Sequence, residues 1–282
     1  MNTAPATIRG LEASDGAFIR GLIARQGWNG GRHDVETFAT ADPGAWLVAE
    51  VDGRPVGVTL ATRWNDAFGW IGVYLVDPDF RGRGIGLALF GAALDRLEPR
   101  SVGLDGDPRQ QDNYRRSGFV DVHGNTRWYG PAGVWSETGE VVPPSDVPFD
   151  ALVAIDAQAL GSERPSLLRA WIDQPEAVSV AAVRGGHVVG FATARPASDG
   201  WKVGPVHALD ADVAATVIAG AVAHLAPETT CWLDTPDPNT AAADLLRAHG
   251  YEAAPTSGLM VRGTPPPADL GISFAITAHE VG

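Results

Sequence analysis

The sequence predicts an α/β (α+β) protein built as two similar halves, each a mixed, mostly antiparallel sheet flanked by helices. Three observations carry this expectation. Residues 7–130 alternate between strand-like and helix-like patterns. Residues 131–148 are rich in Pro, Gly and Ser and lack periodicity. After them the order of elements repeats, as a long-period duplication and not a short-repeat solenoid. The 282 residues suit two domains, each long enough to bury its own core. We expect domains at 1–134 and 149–282, joined by a linker at 135–148.

In the first half, Thr7–Arg9 reads as a short strand. Asp15 can cap a helix running towards Gln26, with Phe18, Leu22 and Ile23 on one face. Ala45–Val51 reads as a strand, Asp52-Gly53 as a hairpin turn, and Pro55–Thr62 and Trp70–Val76 as continuing strands. A helix is expected from about Gly84 to Leu97, ending before Pro99. Val102–Asp105 is a strand, and Gln111–Ser117 a short helix closed by Gly118. In the second half, Ser179–Val183, Gly185-Gly186 and Val188–Ala194 repeat the hairpin. Ala211–Leu225 reads as a helix. Cys231–Asp234, a loop, a helix and His249-Gly250-Tyr251 then parallel Val102–Asp105, its loop and helix, and Ser117-Gly118-Phe119. A last strand is expected at Ile272–Thr277.

Composition narrows the function. Hydrophobic residues make up 45% and charged residues 20%, with a formal net charge of −13. That balance repels duplex nucleic acid and anionic membrane surfaces on average, so neither is an expected partner. Cys231 is the single cysteine, which excludes an internal disulfide and fits a reducing compartment. The N-terminal residues lack the pattern of a signal peptide, and no apolar run is long enough to span a bilayer. The expected location is cytoplasmic. His residues are scattered, and no metal site is expected.

The chemistry concentrates in Val76-Asp77-Pro78-Asp79-Phe80-Arg81-Gly82-Arg83-Gly84-Ile85-Gly86, which links a strand to a helix. Pro78 ends the strand pairing because it has no N–H to donate. Gly82, Gly84 and Gly86 allow a tight turn and close approach of a ligand. The following helix offers free N–H groups and a positive dipole end, suited to a pyrophosphate. Arg81 and Arg83 add charge. A P-loop would need Lys and then Ser/Thr after its last glycine, where Leu87 and Ala88 stand. The G-x-G-x-G spacing also differs from the dinucleotide fingerprint, and it follows an antiparallel series.

Arg81-x-x-Gly84-x-Gly86 after a V-D-P strand end closely resembles the acyl-CoA-binding motif of the GNAT N-acetyltransferases. The resemblance extends over residues 7–130, including Tyr114-Arg115-Arg116-Ser117-Gly118-Phe119. The second half resembles a diverged GNAT domain, so the whole resembles the tandem-GNAT type. The resemblance implies acetyl-CoA as acyl donor. Tyr74, Leu75 and Val76 would pair through their backbones with the pantetheine arm and acetyl carbonyl. The amides of Arg81, Gly82, Arg83, Gly84, Ile85 and Gly86 would hold the pyrophosphate. The fourth and fifth strands would splay around the donor.

Transfer from a thioester to an amine needs deprotonation of the ammonium, a donor to the carbonyl, and a proton for the thiolate. By the resemblance, Tyr114 stands where a general acid approaches the sulfur; packing on its helix is the other reading. Asp105 stands where some family members carry a carboxylate that assists deprotonation; it can equally cap the next loop. His33 and His123 are bases by residue type alone. Trp28 and Asn29 follow the first helix, which borders the acceptor site in this fold, though Trp28 also suits a core.

The second half departs from the motif. Gly204–Asp210 stands opposite Arg81–Gly86, with Asp210 and Asp212 opposing a pyrophosphate. Leu246 stands opposite Tyr114. One catalytic domain is therefore expected, beside a degenerate one that shapes an acceptor pocket or an interface of a homodimer, if the chain is not monomeric. A small-molecule amine is the expected acceptor; a peptide amine, or acyl-CoA sensing without catalysis, are the alternatives.

Overall fold

The computed structural model describes residues 6–136 and 139–282; Glu137 and Thr138 of the expected linker lie outside them. The first half runs β1 (Thr7–Gly10), α1 (Asp15–Arg25), α2 (Asp34–Ala41), β2 (Trp46–Val51), β3 (Arg54–Arg63), β4 (Phe68–Val76), α3 (Ile85–Leu97), β5 (Ser101–Gly106), α4 (Gln111–Arg116) and β6 (Val120–Pro131). The second runs α5 (Phe149–Leu160), α6 (Pro165–Ile172), β7 (Val178–Arg184), β8 (His187–Pro196), β9 (Trp201–Ala208), α7 (Ala211–Val222), β10 (Thr230–Pro236), α8 (Thr240–Ala248), β11 (Glu252–Arg262) and β12 (Ser273–Ala275). No helix of the described residues is long and apolar enough to cross a membrane.

The expected elements form, with shifted ends. Asp15 is not the cap of α1: Ser14 holds that position, and Asp15 turns back onto Arg9 at 2.6 Å. The expected last strand shortens to β12, which pairs with β9. Six elements had no counterpart in the sequence reading: α2, α5, α6, β6, β9 and β11. α5 and α6 follow or begin at a proline, and β9 contains Gly204-Pro205, so local punctuation masked them.

The strands form one mixed sheet in the order β1-β2-β3-β4-β5-β11-β6-β10-β9-β8-β7. Its centre is an exchange. β11 lies beside β5 of the first half, and β6 lies beside β10 of the second. β6 and β11 pair antiparallel with each other. Side chains follow their strands. Val261 of β11 joins the core of α1, α2 and β2–β4, and Met260 joins that beneath α3. Trp128 of β6 enters the core of the second half. The segment expected as linker is partly fixed: Trp135 is buried, donates to the Tyr251 hydroxyl at 2.9 Å and stacks on His249.

Buried polar pairs also join the halves. Arg195 donates two hydrogen bonds to Asp34 at 2.9 and 3.1 Å. Arg127 of β6 grips Asp234 of β10 at 2.7 and 2.8 Å. Residues 276–282 then cross from one half to the other. A Cβ on Gly204 would stand 2.2 Å from the Ile276 carbonyl oxygen, and one on Gly72 would stand 2.3 Å from that of Glu280. Glycine at both positions lets this segment lie directly on the sheet. Arg164, buried and ion-paired with Asp156, donates to the carbonyls of Val281 and Gly282 and holds the segment there.

Candidate active site

The site opens where two strands part. β4 and β5 pair in parallel only from Phe68↔Ser101 to Ile71↔Leu104. On its other side β4 slips against β3 between Leu75 and Gly72, and Val73 between them has φ 44°. A bulge of this kind re-aims the backbone around Val73 and Tyr74 and takes it out of the ladder. The result is a wedge with polar main-chain groups on one wall. A cavity of about 670 Å³ fills it and continues between the halves.

At the mouth, Pro78–Phe80 forms a short 3-10 turn capped by Asp77, which accepts from the Asp79 amide at 3.1 Å. Gly82 and Gly84 follow with φ 74° and 79°, and a Cβ at either would meet nothing within 4 Å. Gly84 precedes α3, and no side chain caps its N-terminus. The first-turn amides of a 13-residue helix therefore face open space beside Arg81, Gly82 and Arg83. An anionic pyrophosphate fits such a place by charge and by hydrogen-bond count. Gly86 also has a packing purpose. A Cβ there would stand 2.6 Å from the Tyr74 hydroxyl, so it makes room for that ring. Arg81 and Arg83 fold back onto the loop, donating to the Val76 and Asp79 carbonyls.

Midway, Tyr114 of α4 lines the cavity beside Phe90 and Phe119. Its hydroxyl has no hydrogen-bond partner among the described residues. Burial raises its pKa, with a smaller contribution from the neighbouring Tyr74 phenol. Tyr74 is raised by burial as well. Both phenols are therefore protonated at neutral pH and able to donate.

Farther in, Asp105 of β5 is fixed by one oxygen only. Its Oδ1 accepts from Asn125 Nδ2 at 2.6 Å and Ser257 Oγ at 3.0 Å, while its buried Oδ2 has no partner. Burial raises its pKa. Trp28 and Asn29 line the same cavity. Asn29 is committed to the β8–β9 turn, donating to the Asp199 carbonyl and accepting from its amide, both at 2.9 Å. His33 and His123 do not line the cavity; His33 pairs with Glu176 and His123 with the Gly124 carbonyl.

The second half has no such mouth. Of Gly204–Asp210, the stretch expected opposite Arg81–Gly86, Gly204–Ala208 belongs to strand β9. Only Leu209 and Asp210 separate β9 from α7, against the eight residues 77–84 between β4 and α3. Asp210 occupies the N-terminus of α7 itself, accepting from the Val213 amide at 2.8 Å. The loop is thus deleted, not merely altered, and its helix end is satisfied from within.

Each half matches a known family model. Residues 18–119 match the model of the Acetyltransferase (GNAT) family, and residues 152–275 match that of an Acetyltransferase (GNAT) domain. The chain is a tandem GNAT acyltransferase. It is similar to the holothin acyltransferase of Pseudoalteromonas sp. (strain SANK 73390), with 28% identity over 263 residues, covering 90% of this chain and 87% of that one. Among solved structures, a putative acetyltransferase from Pyrococcus horikoshii superposes with a TM-score of 0.85 at 22% identity, covering 100% and 98% of the two chains. A tandem GNAT protein from the clavulanic acid biosynthesis pathway superposes with a TM-score of 0.60 at 16% identity, covering 94% and 100%. At these identities the structures speak for the fold.

The sequence reading of this GNAT chain missed the cavity's far wall. Arg127, Lys202, Ser257, His279 and Glu280 line it, together with Arg109 at the mouth. Four of the five far-wall residues come from the second half or the crossing segment. Their position depends on the strand exchange, and no local pattern marks it.

Proposed function

We propose that this protein transfers an acetyl group from acetyl-CoA to the amine of a small-molecule acceptor by direct attack. In this reading residues 1–134 carry the donor site and 149–282 complete the acceptor pocket, joined by 135–148. One observation carries it: a single cavity runs from a helix N-terminus without a side-chain cap, past the Tyr114 phenol, to a buried carboxylate with one unpartnered oxygen. The donor supplies an activated thioester.

The chain's own groups divide the remaining work. The amides from Arg81 to Gly86 hold the pyrophosphate, and the backbone of Tyr74, Leu75 and Val76 orients the arm and the carbonyl. Asp105 Oδ2 takes a proton from the acceptor's ammonium; its raised pKa makes it a better base than an ordinary aspartate. As the C–N bond forms and the C–S bond breaks, Tyr114 donates its proton to the departing thiolate, and the second proton lost from the new amide nitrogen restores the phenol. Trp28 bounds the acceptor, positioned by the Asn29 link to the second half. The enclosing second half favours a small acceptor over a peptide.

The test is release of free CoA thiol with a panel of amines, beside calorimetric titration of acetyl-CoA. We expect one donor site per chain and amine-dependent thiol release. Binding without turnover on any amine would leave a sensor in place of an enzyme.

A further inference from the structure

The far wall of the cavity holds two opposite charges that do not touch. Lys202 of β9 is 5% exposed and lines the cavity, with no hydrogen bond and no ion pair among the described residues. Glu280, on the crossing segment, lines the same space, and its buried Oε2 has no partner. The other charges that act on Lys202 are already in ion pairs. Arg127 is bound to Asp234, and Arg195 to Asp34. His279 leans on Arg127 and Asp234 at 3.4 and 3.5 Å.

A buried ammonium without a counter-ion is costly, and so is a buried carboxylate. Lys202 and Glu280 would relieve each other by pairing, and Glu280 is the strongest opposite charge acting on Lys202. They are nevertheless held apart by elements that cannot slide. β9 is hydrogen-bonded to β8, β10 and β12, and Arg164 fastens the segment that carries Glu280. A gap of this kind is complementary to a molecule that brings both charges itself.

We propose that the acceptor is a zwitterion, an amine that also carries a carboxylate, with Lys202 binding the carboxylate and Glu280 with Asp105 receiving the ammonium. The amino-acid class has this chemistry. This assignment rests on the amine-acceptor reading above and makes it narrower. Lys202 is a specificity residue here, and the second half supplies it. Desolvation weakens the ammonium of Lys202, and an incoming carboxylate restores it.

The experiment uses the full chain, acetyl-CoA and matched acceptors: the common amino acids, their carboxamides, and the amines left when the carboxylate is removed. We expect kcat/KM for the best carboxylated acceptors to exceed that of their matched partners by about 10²-fold, as for a site whose buried polar group is left unpaired by the wrong ligand. Lys202→Met, close in volume, should erase this preference by raising KM for the carboxylated acceptors far more than for the uncarboxylated amines. Lys202→Gln, which keeps a donor, should retain part of the preference and guards against a packing artefact. Amines acetylated without regard to the carboxylate, or a preference that survives Lys202→Met, overturn this proposal and leave the amine reading intact. Acetyl-CoA binding with no amine acetylated overturns both.

Discussion

Two helices occupy corresponding places in the halves, and their N-termini end differently. α3 begins at Gly84, uncapped and open to the cavity. α7 begins at Asp210, whose carboxylate accepts from the Val213 amide and also from Arg184 at 3.2 Å. An uncapped helix end costs stability unless something else satisfies its amides. The first half meets that cost with no side chain; the second meets it with its own. The same strand–helix junction thus reads as a binding site in one half and as a structural joint in the other.

The comparison can be broken most directly at Gly84. Gly84→Val places a β-branched residue at φ 79°, where it is strained, and puts methyl groups in front of the α3 amides. Acetyl-CoA binding should fall below detection by calorimetry while the circular dichroism spectrum is kept. Two donor sites per wild-type chain, or unchanged affinity in the variant, would remove the asymmetry.

Tyr114→Phe comes next. It keeps the ring against Phe90 and Phe119 and removes only the donor. Turnover should drop about 10²–10⁴-fold, with the dissociation constant of acetyl-CoA little changed. Near-full turnover would make Tyr114 a packing residue, as Leu246 is in the second half.

A third variant addresses whether the halves are independent. Asp34→Ala leaves Arg195 buried and unpaired, which should cost about 3–5 kcal/mol in denaturant unfolding. The loss should appear in one transition that includes both halves, because β6 and β11 are exchanged. The same pairs set an acid limit. Asp34 and Asp156 are buried, which alone would raise their pKa values, but Arg195 and Arg164 lower them, Asp156 to about 2. Carboxylates depressed in this way stabilise the fold above their unfolded pKa. That contribution should be lost as pH falls from about 4 towards 2, read as a falling denaturation midpoint.

The smallest effect is expected at the closed end. Asp210→Ala should cost about 1 kcal/mol of stability through its lost cap, with no change in acetyl-CoA stoichiometry. A second donor site appearing on this change would mean that capping alone silences the half.

Much of this was legible in the sequence. Arg81–Gly86 was legible as a glycine loop leading into a helix, because its glycines and its place after a strand are local signals. Tyr114 and Asp105 were legible by position relative to Gly118 and the fifth strand. The far wall was not, because Lys202, Ser257 and Glu280 reach the cavity only through strand order and a crossing segment. The alignment of Gly204–Asp210 with the loop failed for a related reason: a deletion leaves no residues to read, and the nearest glycine drew the comparison upstream into β9.

The strand exchange has a consequence for how the protein is made. On the ribosome, β5 is complete at Gly106, but its neighbour β11 begins only at Glu252. Through the intervening synthesis the nascent first half carries a bare strand edge beside its cavity-lining strands. Such an edge invites pairing with other chains. The protein therefore resembles a hand-clasp more than two beads on a string: neither half can finish before the other arrives. A gene that shed its second half would lose more than a spare domain, because the strand that closes the catalytic sheet would go with it.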